Sequence, residues 1–205
     1  MRPRTRIRDF RRWVCRDRSA LRHDIRHQQE PPPPVALRVA TPEDAAKLAL
    51  IGRATFLESY AGTLPVEDIL AHCETQHAPE IYAAWLADPR CRCWLVEASH
   101  GAAPVGYFVL APASVPVKDP DPADLEVKRI YLLHRFQGAG TGRRLMESCT
   151  QLARAQGCPR LLLGVYSRNH HALKFYERLG FERVGERTFR VGGSDYYDYV
   201  LGRNL

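Results

Sequence analysis

The 205-residue chain has no apolar run approaching the roughly 20 residues that a membrane-spanning helix needs. No transmembrane segment is therefore expected. Nothing near residue 1 resembles the apolar stretch of a secretory signal, and a cytoplasmic protein is the expectation. The six cysteines, Cys15, Cys73, Cys91, Cys93, Cys149 and Cys158, have the spacing of neither a disulfide framework nor a zinc site. They are expected to be reduced thiols, and no metal is expected. The main body also lacks a strong charge of either sign. Residues 1–34 hold ten arginines against Asp9, Asp17, Asp24 and Glu30, so nearly all of the net charge of +7 sits there. A nucleic-acid-binding surface is thus not expected on the body, and could come only from the tail.

The run EPPPPV at residues 30–35 divides the chain. Four prolines favour polyproline II and stop any preceding helix. Residues 1–34 are therefore expected to be a flexible, arginine-rich extension, and residues 35–205 a single domain. Within that domain, VALRVA is expected to be a strand. Thr41 as N-cap, Pro42 at the first helical position and Asp44 two residues later start a helix. Shorter helices are expected over 66–73 and 79–87. CRCWLVEA and PVGYFVLAP read as a hairpin, and DLEVKRIYLL as a further strand. Residues 141–156 are apolar along one helical face, through Leu145, Met146, Cys149, Leu152 and Ala153. RLLLGVY is a buried strand and NHHALKFYERLG a helix closed by Gly180; two strands, FERVGERTF and YYDYVLGR, end the chain. This order indicates a mixed α/β domain.

The stretch RFQGAGTGRRLM at residues 135–146 puts Gly138, Gly140 and Gly142 at alternate positions between a strand and a helix. A loop that opens a helix directs free N–H groups and the positive end of the helix dipole to one point, which makes an anion site. No Lys-Ser/Thr follows these glycines as a P-loop requires, and G-x-G-x-G is not the dinucleotide spacing G-x-G-x-x-G.

QGAGTG does match Q-x-x-G-x-G, and about thirty residues later NHHALKFYERLGF matches N-x-x-A-x-x-F-Y-x-x-x-G-F. With ATFLESYAG near the start, the two segments, in this order, resemble the GNAT superfamily of N-acetyltransferases over residues 35–205. The polyamine acetyltransferase branch is the nearest in pattern. The resemblance implies a mixed, mostly antiparallel central sheet with splayed parallel central strands, flanked by helices. It implies acetyl-CoA as cosubstrate, an amine acceptor bound at the same time, and direct attack without an acetyl-enzyme. Homodimers are common in the family.

The same resemblance assigns roles to particular residues. Gln137, Gly138, Ala139, Gly140, Thr141 and Gly142 would wrap the pyrophosphate with main-chain N–H groups, with Arg143 beside them. Leu132 and Leu133 lie where the family carries a bulge. The Leu132 N–H there would polarise the thioester carbonyl. Asn169 would contact the cofactor, although it is equally an N-cap residue. Tyr176 would protonate the departing thiolate, and Glu126 would accept a proton from the amine. Strict alternation predicts Glu126, Lys128 and Ile130 on one face of their strand, with Val127, Arg129 and Tyr131 on the other. Glu58, Glu67, Asp68, Asp195 and Asp198 are further acids that could attract a cationic acceptor. A coenzyme A-binding sensor without turnover and a protein N-terminal or lysine acetyltransferase are the alternatives. His134, His170 and His171 are expected to face solvent.

Overall fold

The computed structural model describes residues 32–138 and 140–205. The expectation for the 1–34 extension therefore falls outside the described residues except at 32–34, and that for Ala139 falls outside them entirely. The seven strands are β1 (Val35–Val39), β2 (Arg92–Ala98), β3 (Pro104–Pro112), β4 (Leu125–Leu132), β5 (Arg160–Tyr166), β6 (Glu182–Val191) and β7 (Ser194–Asn204). They form one sheet in the order β1-β2-β3-β4-β5-β7-β6. Every neighbouring pair is antiparallel except β4 and β5. Helices α1 (Ala45–Tyr60), α2 (Val66–Gln76), α3 (Pro79–Ala87), α4 (Thr141–Ala155) and α5 (His170–Arg178) complete the domain. The expected fold class is the one observed.

Local chemistry explains how the elements are placed. The Thr41 N–H donates to Asp44 Oδ2 at 2.8 Å, and a 3-10 turn over Pro42–Asp44 leads into α1. Arg38 on β1 binds Asp44 at 2.6 Å and Glu97 on β2 at 2.7 Å, so the start of α1 is pinned to the first two strands. On one face of the sheet, Leu48 and Ile51 of α1 and Tyr82 of α3 pack on Leu95, Tyr107 and Val109. On the other, Leu145, Met146, Cys149 and Ala153 of α4 pack on Phe108, Val127, Leu161 and Leu163, together with Tyr176 of α5. β3 lies between these layers, which accounts for its unbroken apolar run.

The two central strands part early. β4 and β5 pair only at Leu125 with Leu161 and Glu126 with Leu162. Beyond that point β4 runs on to Leu132 along β3, while β5 follows β7 to Tyr166. The result is a V-shaped gap in the middle of the sheet, floored by Glu126.

Candidate active site

The left arm of the V is the end of β4. The Leu133 N–H donates to the Val105 carbonyl of β3 at 2.9 Å. In an antiparallel ladder the alternate residues turn their N–H and C=O groups to the opposite side. Leu132, paired with Gly106, therefore directs its main-chain groups into the gap. Its carbonyl accepts from Gln137 Nε2 at 2.8 Å, which ties the glycine loop to the end of the strand. Of the two leucines singled out from sequence, only Leu132 offers its N–H to the V.

The expected bulge is present, but not at those leucines. The β3–β4 register shifts opposite Val109 and Leu110, leaving Lys128 as the extra residue. One added residue reverses the alternation beyond it. Val127 and Ile130 both enter the α4–α5 core. Arg129 and Tyr131 turn to the opposite face, where Arg129 stacks over Trp85 at 4.7 Å and Tyr131 over Tyr107 at 6.0 Å. Glu126 and Lys128 remain neighbours as an ion pair. The strict alternation expected for this strand is corrected accordingly.

The loop after β4 has two left-handed residues, Gly138 at φ 86° and Gly140 at φ 77°. A β-carbon on either would meet nothing within 4 Å, so it is the backbone conformation, not crowding, that calls for glycine. Two expected anion donors are already engaged: the Gln137 N–H binds the His134 carbonyl at 3.0 Å and the Thr141 N–H binds that of Gly138 at 3.1 Å. Among the described residues, Gly138, Gly140 and Gly142 donate to no main-chain carbonyl. Their N–H groups stand at the N-terminus of the fifteen-residue helix α4. Arg143 extends over the helix surface to Glu147 at 3.1 Å. Gly142 faces α5, where a β-carbon would lie 3.6 Å from the Phe175 ring. The two sequence signatures are thus in contact.

α5 is built to hold Tyr176. Asn169 caps it by accepting the Ala172 N–H at 3.0 Å. At its other end Gly180, at φ 80°, donates to the Glu177 carbonyl, and Phe181 donates to the Tyr176 carbonyl at 3.0 Å. This is a Schellman closure, and its apolar contact is Phe181 against the Tyr176 ring, 5.7 Å between centroids. Phe175 lies on the other side at 5.2 Å. Tyr176 is buried, and its hydroxyl makes no hydrogen bond among the described residues. Burial, with the neighbouring Tyr131 phenol, holds its pKa well above the ordinary tyrosine value, so it stays protonated. Tyr131 belongs to the α1–α3 face and Tyr176 to the α4–α5 face.

Glu126 is buried, and its hydrogen bonds fall on one oxygen. Its Oε2 accepts the Ser114 N–H at 2.9 Å and Lys128 Nζ at 2.7 Å, and Arg187 Nη1 lies 4.0 Å from Oε1. Glu126 lies at the closed end of the V, where β4 and β5 are still paired. The other acids noted in the sequence do not converge there. Glu58 accepts the His134 N–H, Asp68 holds the β6–β7 turn through the Gly193 N–H, and Asp195 faces Arg190 at 3.8 Å.

Asp198 is the exception. It is buried on β7 and receives Arg187 Nε and Nη2 at 3.2 and 3.1 Å. The importance of this pair is absent from the sequence reading, yet a signal exists. The two-residue turn Gly192-Gly193 sets the hairpin register, which places Arg187 opposite Asp198. Tyr60 completes the setting: its pKa is raised by the neighbouring Tyr131 phenol, by burial and by the Asp198 carboxylate. The thiols do not compete as nucleophiles. Burial pushes Cys93 up to about 12 and Cys149 higher still, and the five described cysteines are free. Among the described residues no cluster of histidine, cysteine and acids is arranged to hold a metal.

A family model described as Acetyltransferase (GNAT) family matches residues 54–181. An uncharacterized N-acetyltransferase of Mycobacterium bovis is 32% identical over 162 residues, covering 79% of this chain and 98% of that protein. A spermine/spermidine N(1)-acetyltransferase of Bacillus subtilis is 36% identical over 62 residues, 30% of this chain and 41% of its own length. Among solved structures, a PaiA N-acetyltransferase from Thermoplasma acidophilum in complex with coenzyme A is similar with a TM-score of 0.65 and 17% identity, over 84% of this chain and 99% of that one. At that identity the likeness is one of fold.

Proposed function

The chain belongs to the acetyltransferase (GNAT) family, and from that premise we propose that it moves an acetyl group from acetyl-CoA to a small primary amine within a ternary complex. Polyamines are the first acceptor class to test, in view of the partial similarity to a spermine/spermidine acetyltransferase. The residues fit such a cosubstrate. The N–H groups of Gly138, Gly140 and Gly142, which have no main-chain acceptor among the described residues, suit a pyrophosphate at the start of α4. Pantetheine would lie in the V as an extra strand, meeting the main-chain groups that β4 turns away from β3.

The chemistry then needs two things from the chain. As the amine attacks the thioester, negative charge builds on the carbonyl oxygen, and the Leu132 N–H is the donor facing it. A donor of this kind is worth about 10²–10³ in rate. As the intermediate collapses, the sulfur leaves as a thiolate, and the protonated Tyr176 phenol supplies its proton. Asn169 caps the helix that carries Tyr176, so it positions the phenol and need not touch the cofactor. Much of the remaining acceleration comes from holding both reactants together.

The single observation carrying this reading is Tyr176, buried in the α4–α5 core with no hydrogen bond to its hydroxyl among the described residues. The test is thiol release from acetyl-CoA in the presence of spermidine, other small amines and a short peptide. Free coenzyme A that forms only with an amine supports acetyl transfer. Tight coenzyme A binding without turnover on any amine would instead identify a silent sensor. Turnover confined to the peptide would move the acceptor class to proteins.

A further inference from the structure

We propose that Asp198, and not Glu126, takes the proton from the acceptor's ammonium group, with Arg187 as the positioning residue that aims it; this rests on the acetyl-transfer reading above. The two carboxylates are linked by one guanidinium. Arg187 reaches from β6 to Asp198 on β7 at 3.1 Å and on to Glu126 on β4 at 4.0 Å. Their surroundings differ. Each keeps its hydrogen bonds on one oxygen, Oε2 of Glu126 and Oδ2 of Asp198, but among the described residues Glu126 also carries Lys128 and the Ser114 N–H, whereas Asp198 has no second cation. Among the described residues, Oδ1 has no partner.

Position favours Asp198 as well. Its cross-strand neighbour on β5 is Tyr166, four residues beyond Leu162, where β5 has already left β4. Asp198 therefore flanks the open part of the V, while Glu126 lies at its closed end. The groups facing it are Arg187 from β6, Tyr166 from β5, Tyr131 from β4 and Tyr60 from α1. The Tyr60 and Tyr166 rings are 6.5 Å apart, and Tyr196 lies 6.0 Å from Tyr166. Aromatic walls beside one unsaturated carboxylate oxygen suit an ammonium group. Burial raises the Asp198 carboxyl above the ordinary range, with Arg187 opposing. That brings its basicity closer to what a neutral-pH base requires.

The protons balance. The ammonium gives one proton to Asp198 Oδ1, and the freed lone pair forms the C–N bond to the thioester carbonyl carbon. Collapse breaks the C–S bond, and the sulfur takes the Tyr176 proton. The second proton on nitrogen then restores the phenol. The products are the amide, the coenzyme A thiol and one proton that passes from Asp198 to solvent.

The experiment compares the full-length wild type with Asp198→Asn and Glu126→Gln in thiol release with acetyl-CoA, using spermidine and a panel of small amines and peptides between about pH 6 and 10. For an amine the wild type acetylates, Asp198→Asn should lower kcat/KM about 10²–10³-fold near neutrality. The loss should shrink as the pH rises and the amine arrives already neutral, with coenzyme A affinity unchanged. Glu126→Gln should lower thermal stability and keep the wild-type shape of the pH profile. Should Asp198→Asn fail to fold with Arg187 left underpaired, the double variant Asp198→Asn/Arg187→Gln gives the same readout. Asp198→Asn at the wild-type rate, a loss constant across pH, or alkaline rescue of Glu126→Gln instead would overturn the assignment. A wild type inactive on every amine would bring down the acetyl-transfer reading itself, and this proposal with it.

Discussion

The Arg187 guanidinium lies flat against Gly164, so close that a β-carbon there would stand 2.6 Å from Cζ. Gly164 sits on β5, between the strand carrying Asp198 and the strand carrying Glu126. A side chain at this position would close the track along which Arg187 crosses the sheet. Both carboxylates are buried, at 6% and 3% exposure, and each would lose a cation. Gly164→Ala is expected to cost about 1–3 kcal/mol through crowding, and to slow acetyl transfer beyond what the lost stability explains. Urea unfolding and steady-state rates measured on one preparation check this. Wild-type values in both would show that Arg187 can move aside and that the bridge is dispensable.

Replacing Tyr176 with phenylalanine leaves the ring contacts with Phe175 and Phe181 in place and removes a hydroxyl that has no hydrogen bond among the described residues. Folding and coenzyme A binding should therefore be nearly unchanged. Turnover should fall about 10²-fold or more, as expected for loss of a general acid. The check is kcat by thiol release beside calorimetric titration with coenzyme A. An equal kcat would remove the phenol from the chemistry.

Much of this architecture was legible in the residues, for definite reasons. The helix start at Thr41, the apolar face of α4 and the Gly180 closure depend on neighbours within a few positions, and each is where the pattern put it. Lys128 was not legible as a bulge. Nothing in LEVKRIY marks an extra residue, because a bulge is a relation between two strands and only the β3 register exposes it. The same holds for Glu126, whose partners include Ser114, twelve residues earlier, and Arg187 of a distant strand. Tyr60, Tyr131 and Tyr176 come from α1, β4 and α5, and no spacing along the chain encodes their mutual influence on one another's pKa.

The glycine loop makes its own prediction. Gly140 adopts φ 77° in open space, so an alanine there clashes with nothing and carries only the left-handed backbone penalty, about 1–2 kcal/mol. Gly140→Ala should accordingly remain folded. If the backbone rearranges to relieve that penalty, the N–H groups no longer converge, and coenzyme A affinity should drop about tenfold or more. Dephospho-coenzyme A should suffer as much, because it retains the pyrophosphate, whereas pantetheine should be indifferent to the change. An unchanged affinity for coenzyme A would place the pyrophosphate elsewhere.

Acid should destabilise the protein through two buried histidines. His72 stacks on Phe56 at 4.1 Å, and His77 shares Nδ1 with the Tyr82 hydroxyl at 2.7 Å. Burial, reinforced by the Arg129 charge, holds His72 down to about 4 and His77 down to about 2, against an ordinary value near 6.5. Both are neutral in the folded protein and take up protons on unfolding once the pH is below 6.5. Their contribution is therefore fully present above about pH 6.5. It is lost as the pH falls, down to about 4 for His72 and further for His77, at up to about 1.4 kcal/mol per pH unit for each. His72→Phe keeps the stack and removes one titrating group, so the slope of unfolding free energy between about pH 6 and 4.5 should fall by roughly half of the histidine contribution. Urea unfolding across that range measures it. A slope that His72→Phe leaves unaltered would mean that His72 is already protonated in the folded protein, and that the ring stack tolerates a cation beside Arg129.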